Sequence, residues 1–94
     1  MRHPESLMAK KNLASIHLNQ GKIAESVALY EDILKMSPFD IDSLKSLGQI
    51  CVRLGKTGEA KDFLKVALQR EPGDLQAKAM LEVIEDKLEA IAVK

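Results

Sequence analysis

Residues 41–74 read IDSLKSLGQICVRLGKTGEAKDFLKVALQREPGD, and the equally long stretch before them, 7–40, reads LMAKKNLASIHLNQGKIAESVALYEDILKMSPFD. The two stretches align without a gap. Their identical pairs include Lys11/Lys45, Leu13/Leu47, Ile16/Ile50, Gly21/Gly55, Lys22/Lys56, Glu25/Glu59, Leu34/Leu68 and Asp40/Asp74. The register continues weakly beyond residue 74, with Leu81 and Ile84 at the places of Leu47 and Ile50. A fixed period of this length is typical of a duplicated structural unit.

Each unit has the spacing of two helices joined by a turn. Apolar residues recur three and four positions apart, as in Leu47, Ile50 and Leu54. Gly21 and Gly55 stand in the middle of their units, where a glycine can adopt the left-handed conformation that ends a helix. No window alternates long enough to indicate a strand. The pattern therefore predicts an all-α chain.

Prolines and capping residues mark where one unit ends and the next begins. Pro4, Pro38 and Pro72 recur with the same period as the repeat, and each is followed after two positions by a candidate N-cap. These candidates are Ser6, Asp40 and Asp74. The predicted helices cover 7–20, 23–36, 41–54, 57–70 and 75–92.

The composition excludes several functional classes. Fourteen basic and fourteen acidic side chains cancel, so the charge balance gives no sign of nucleic-acid binding. Cys51 is the only cysteine, which rules out an intrachain disulfide. No apolar run is long enough to cross a bilayer, and the first residues do not resemble a signal peptide. We therefore expect a cytoplasmic chain with no membrane contact, leaving open whether it was cut from a larger protein.

The repeat resembles the tetratricopeptide family. That family's pattern runs from a Leu-Gly pair through a glycine turn to a small residue, an aromatic, an alanine and a final proline. The second unit reads, at these places, Leu47-Gly48, Gly55, Ala60, Leu64, Ala67 and Pro72. Lys10 and Leu44 replace the family's early tryptophan, and His17 and Cys51 replace its tyrosine. The resemblance implies one domain over 1–94, a short right-handed superhelix of five helices. Repeats would span about 7–40 and 41–74, and a capping helix about 75–92. Whether a further unit precedes them is left open.

Stacked units of this family present the first helix of each unit on a concave side. Projection of the helical period places there Met8, Lys11, Ser15, Asn19, Asp42, Lys45, Gln49, Arg53 and Gln76, together with Ala79 and Val83. Three basic residues, Lys11, Lys45 and Arg53, outweigh Asp42 in this set. We therefore expect the concave side to favour a peptide with acidic character.

More specific sites find little support. Some family members clamp the acidic tail of a chaperone with five residues, of which only Lys11 is matched here. Gly55-Lys56-Thr57-Gly58 has the letters of a phosphate loop but lacks its earlier glycine and strand. His17 and Cys51 are expected near each other as packing residues rather than as a metal or nucleophile pair. Neither a catalytic residue, a metal nor a cofactor is predicted.

The leading functional hypothesis is a non-enzymatic scaffold that binds a protein or peptide through the concave side. The alternative is a self-assembly module, or part of a longer array with an architectural role, because three or more repeats are usually needed for a stable stack. Leu7, Met8 and Leu18 are expected near the surface of the first helix, where a copy of the chain could pair. RNA binding by analogy with pentatricopeptide repeats is disfavoured by the period and the charge balance.

Overall fold

Five helices account for almost the whole chain in a computed structural model, which describes the backbone of residues 4–93 and the side chains of residues 7–88. They are α1 (Pro4–Asn19), α2 (Ile23–Met36), α3 (Ile41–Arg53), α4 (Thr57–Arg70) and α5 (Leu75–Val93). No strand occurs between residues 4 and 93. The predicted all-α class is confirmed, and α2 and α4 have the predicted bounds.

The turns inside the two units have the same geometry. Gly21 has a φ of 80° and Gly55 a φ of 79°, the left-handed region that favours glycine. The amide of Lys22 donates to the carbonyl of His17, and the amide of Lys56 donates to that of Cys51, both at 2.8 Å. The predicted glycine turns are confirmed.

Aspartate caps begin α3 and α5. The carboxylate of Asp40 accepts hydrogen bonds from the backbone amide of Ser43 at 3.1 Å and from its hydroxyl at 2.6 Å. Asp74 accepts one from the amide of Ala77 at 3.0 Å. The prediction for Ser6 is wrong, because α1 begins at Pro4 and Ser6 lies inside it. Proline suits a first helical position, since its missing N–H would have no partner there.

The core consists of two clusters along the stack. The first joins α1, α2 and α3 through Ala14, Tyr30, Ile33, Leu47 and Ile50. The second joins α3, α4 and α5 through Cys51, Ala60, Leu64, Ala77 and Ile84. Small residues lie where helices approach closely. A Cβ added at Gly48, for example, would be 3.1 Å from Cγ of Leu64.

Identical residues differ in burial between the units. Leu47 and Ile50 of α3 are 2% and 1% exposed because they pack against α2. Their counterparts in α1, Leu13 and Ile16, are 44% and 50% exposed. The shared register would place both pairs in a packing stripe, but in α1 the pair is not buried. Within the described chain, no helix covers this side of α1 as α2 covers α3.

The expected surface of α1 also needs correction. Met8 is exposed, as predicted. Leu7 and Leu18 are instead half-buried against the first core cluster. Met8, Leu13 and Ile16 are thus the large apolar residues that α1 presents outwards.

Candidate functional site

An open groove runs between α3 and α5. It contains two adjoining pockets of about 290 and 210 Å³, which share Gln49 and Met80. The larger pocket is lined by Asp42, Lys45, Ser46, Gln49, Gln76 and Met80, and the smaller by Gln49, Val52, Arg53, Met80, Val83 and Ile84. We call the two pockets together the α3/α5 groove.

The groove changes in character along its length. Its larger pocket lies near the start of the helices and carries polar side chains, including Asp42, Lys45 and Gln76. The smaller pocket lies further along and has an apolar wall to which Val83 contributes, with Arg53 at its edge. The groove can therefore offer hydrogen bonds at one end and apolar contact beside a cation at the other.

Two lysine–aspartate bridges join the first helices of successive units. Lys11 Nζ lies 2.8 Å from Asp40 Oδ1 and 3.4 Å from Asp42 Oδ2. Lys45, at the equivalent place in the next unit, lies 3.0 Å from Asp74 Oδ2 and also donates to Gln76 Oε1 at 3.0 Å. Because Asp40 and Asp74 cap α3 and α5, each bridge ties one helix to the start of the next. The Lys45 bridge thus joins the two walls of the α3/α5 groove.

The bridges shift the pKa values of their members. The hydrogen bond to Asp40 raises the pKa of Lys11. Burial alone would raise the pKa of Asp40, but hydrogen bonds from Lys11 and Ser43 outweigh it and hold that pKa below its ordinary value. The amide of Ala77 and the ammonium of Lys45 likewise lower the pKa of Asp74. All three shifts favour the charged forms that make the bridges.

The cationic excess expected on the concave side is absent from the structure. Lys11 and Lys45, which we expected to face a partner, are each paired with a capping aspartate. From the sequence, Asp42 was the only acidic residue set against these basic residues, and Asp40 and Asp74 were interpreted only as helix caps. Among the side chains that the structure describes, Arg53 is the cation of this set without an ion pair.

The groove brings together some of the predicted site residues and not others. Asp42, Lys45, Gln49, Arg53, Gln76 and Val83 line it. Met8, Ser15, Asn19 and Ala79 are exposed but line neither pocket, and Lys11 is held in its bridge.

Four groove residues were missed, and the fourth is Ile84, which the sequence pattern placed in the packing stripe of α5. Ser46 and Met80 lie one turn after Asp42 and Gln76, and Val52 lies one turn after Gln49. They lie between predicted positions of the same helices, so a wider projected face would have included them.

Cys51 packs in the core, as predicted, whereas His17 is half-buried and belongs to neither core cluster. Cys51 is buried in the second core cluster, and burial raises the pKa of its thiol. His17 Nδ1 is buried and has no hydrogen-bond partner in the described part of the chain. No three His, Cys, Asp or Glu side chains among the described residues are grouped so that they could hold a metal ion.

The family profile described as tetratricopeptide repeat matches residues 17–84, which is most of the chain. The chain belongs to the tetratricopeptide repeat family. Members of this family generally act as non-catalytic scaffolds for protein–protein interaction. None of the helices described between residues 4 and 93 is both long and apolar enough to cross a membrane.

Curated relatives of this tetratricopeptide repeat chain are much longer proteins. It is 31% identical over 65 residues to the "Protein CTR9 homolog" of Arabidopsis thaliana, a match over 69% of this chain and 6% of that protein. It is 39% identical over 57 residues to the "Cellulose synthase 2 operon protein C" of Komagataeibacter xylinus, over 61% of this chain and 4% of that protein. The chain thus spans only a small part of these relatives.

Solved structures share the fold over almost the full chain. A tetratricopeptide repeat domain protein from Salinibacter ruber, solved by NMR, matches with a TM-score of 0.72 and 25% identity. That match covers 97% of this chain and 94% of the other. A crystal structure of such a domain from the same organism matches with a TM-score of 0.71 and 24% identity, over 90% and 98%. These matches agree with the predicted helical repeat.

The lysine–aspartate bridges predict an acid-sensitive stability. Because the pKa of Asp40 is lower in the folded chain than in the unfolded chain, its contribution is present above a pH of about 4. That contribution is lost as the pH falls through the folded pKa. Asp40→Asn keeps an N-cap residue and removes the charge, so we expect a small loss at neutral pH and a flatter fall of the melting temperature in acid.

Thermal melts followed by circular dichroism between neutral and acid pH measure this. Asp40→Ala is the comparison, because it removes cap and charge together and should cost about 1–2 kcal/mol at neutral pH. An Asp40→Asn variant with the same acid profile as the wild type would show that the Lys11–Asp40 bridge adds no stability.

Proposed function

We propose that the α3/α5 groove binds a short segment of a partner protein. This proposal rests on the two adjoining pockets between α3 and α5. Both are open, and no core side chain fills them. Each pocket is smaller than the roughly 300 Å³ at which sites for small-molecule ligands begin. Each suits a side chain rather than a whole cofactor.

The two ends of the groove favour different parts of a peptide. The smaller pocket offers room for one apolar side chain beside Met80 and Val83. Arg53, without an ion pair among the described side chains, can bind a carboxylate next to it. The side-chain amides of Gln49 and Gln76 can donate hydrogen bonds to a peptide backbone and accept hydrogen bonds from it. The preferred segment therefore has an apolar residue beside an acidic one, rather than a run of acidic residues.

This preferred segment differs from the acidic peptide that the number of basic residues on the concave side had suggested. Lys11 and Lys45 already form ion pairs with the carboxylates of Asp40 and Asp74. A peptide carboxylate would have to displace these partners, and the displaced caps would weaken α3 and α5. Arg53 requires no such exchange.

Selection from a displayed library of random peptides tests the proposal. We expect the wild-type chain to enrich sequences with an apolar residue beside Asp or Glu. An enriched peptide, synthesised and titrated by fluorescence anisotropy, should bind at least about tenfold more weakly to Arg53→Glu, a loss of about 1.4 kcal/mol. Val83→Asp should lose a similar amount, because it places a carboxylate in the apolar pocket.

The matched control is Lys65→Glu, which makes the same charge change on an exposed position of α4. It should leave the affinity unchanged. Lys45→Glu is unsuitable, since it would place a carboxylate against Asp74 and disturb the fold. Enrichment of peptides whose binding is equal for wild type, Arg53→Glu and Val83→Asp would contradict the proposal.

A cytoplasmic location and the division into repeats over about 7–40 and 41–74 stay predictions. The activities of the longer relatives stay theirs, because this chain spans only a few per cent of each.

A further inference from the structure

Met80 lies at the centre of the α3/α5 groove. It lines both pockets, and it is the only sulfur-containing side chain among the described residues that line them. It is half-buried and packs against the second core cluster, while the open groove leaves part of the side chain accessible to small solutes. The groove therefore contains one side chain that a small oxidant can modify.

The repeat register distinguishes this position from its counterparts. Where α5 carries Met80, α1 carries Asn12 and α3 carries Ser46. Both counterparts are polar, so this position of a first helix accepts a polar side chain without loss of the helical repeat. An oxygen atom added to Met80 should therefore change the lining of the groove more than it changes the fold.

We propose that oxidation of Met80 to its sulfoxide switches off peptide binding in the α3/α5 groove, an inference that rests on the proposed function. Hydrogen peroxide is the oxidant. It transfers one oxygen atom to Sδ of Met80, its O–O bond breaks, and the remainder leaves as water. The sulfur loses two electrons and the peroxide gains two, so the step needs no further reactant.

The sulfoxide acts on both features that select the ligand. It replaces a flexible apolar thioether with a polar, chiral group, so an apolar ligand side chain in the smaller pocket would lie against an oxygen atom. Arg53 lines the same pocket and has no ion pair among the described side chains. Its guanidinium can donate a hydrogen bond to the sulfoxide oxygen and is then less available to a ligand carboxylate.

The other sulfur atoms of the described side chains lie outside the groove. Met8 is exposed on α1 and Met36 is half-buried on α2, and neither lines a groove pocket. Cys51 is buried in the second core cluster, and burial raises the pKa of its thiol, which disfavours the reactive thiolate. Oxidation of Met8 or Met36 would therefore leave the groove lining unchanged.

Peptide affinity of the full chain before and after peroxide treatment tests the proposal. The probe is the display-selected peptide with an apolar residue beside Asp or Glu, titrated by fluorescence anisotropy, and peptide mass mapping measures the oxidised fraction of Met80. The oxidised wild type should bind at least about tenfold more weakly. Met80→Leu keeps an apolar side chain of similar size without sulfur, so peroxide should not change its affinity. Met8→Leu is the matched control and should lose affinity on oxidation as the wild type does.

Undiminished affinity of a chain with oxidised Met80 would overturn the proposal, and so would a loss that persists in Met80→Leu. A Met80 that stays reduced while Met8 is oxidised would also contradict it. Circular dichroism of the oxidised chain should show unchanged helix content, since a loss of helix together with affinity would place the effect in the fold.

The same titrations separate this inference from the proposed function. A peptide whose binding depends on Arg53 and Val83 but not on the oxidation of Met80 would contradict the oxidation switch alone. Binding that is unaffected by Arg53→Glu and Val83→Asp would contradict the proposed function, and the oxidation switch with it.

Discussion

Replacing Ile50 with alanine should lower the free energy of unfolding by about 3 kcal/mol, whereas the same replacement at Ile16 should lower it by less than about 1 kcal/mol. The two isoleucines occupy the same place in the repeat register. Ile50 lies on α3 and is buried against α2, so its truncation leaves a cavity. Ile16 is half exposed, and solvent can fill the space that it leaves. The difference between the variants therefore measures the stacking of the second unit on the first.

Urea unfolding followed by circular dichroism measures both values. Because a chain of this size has a total stability of only about 5–14 kcal/mol, the Ile50→Ala loss should appear as a large shift of the midpoint. Equal losses for Ile16→Ala and Ile50→Ala would mean that α3 does not bury Ile50 against α2.

A second large effect is expected at Gly48, where α3 crosses α4. Valine at this position should cost about 3 kcal/mol, because even a Cβ would lie 3.1 and 3.2 Å from two atoms of the buried Leu64 side chain. Valine adds two γ carbons to this already crowded Cβ. The helices would have to separate, which would also disturb the second core cluster that supports α5. We therefore expect Gly48→Val to weaken peptide binding in the groove as well.

Gly58→Ala is the control for the glycine itself. Gly58 lies in the first turn of α4, and an added Cβ there meets nothing within 4 Å. Alanine should raise the stability by about 0.5 kcal/mol, since it restricts the unfolded chain. Urea unfolding of both variants distinguishes the steric cost of a side chain at position 48 from the entropic effect of replacing a glycine. A Gly48→Val variant as stable as the wild type would show that α3 and α4 can move apart without cost.

The candidate groove was only partly predictable from the sequence. Helical projection found Asp42, Lys45, Gln49, Arg53 and Gln76, because a helix face depends on spacing alone. It could not find the carboxylate partners of the lysines. Lys11 and Asp40 lie far apart in the sequence, with the whole of α2 between them, and only the packing of α1 beside α3 brings them to 2.8 Å. The expected charge of the concave side was wrong for this reason.

The sequence alone determined the helices, the glycine turns, the aspartate caps of α3 and α5, and the family. These features depend on contacts within a few residues or on a repeated pattern that can be counted. Tertiary structure alone decided which copy of each repeated residue is buried. Leu13 and Leu47 are identical in type and register, yet their exposed fractions differ because α2 covers that side of α3, whereas no helix described between residues 4 and 93 covers that side of α1. Burial depends on what lies across from a helix, and a residue's own sequence neighbours do not carry that information.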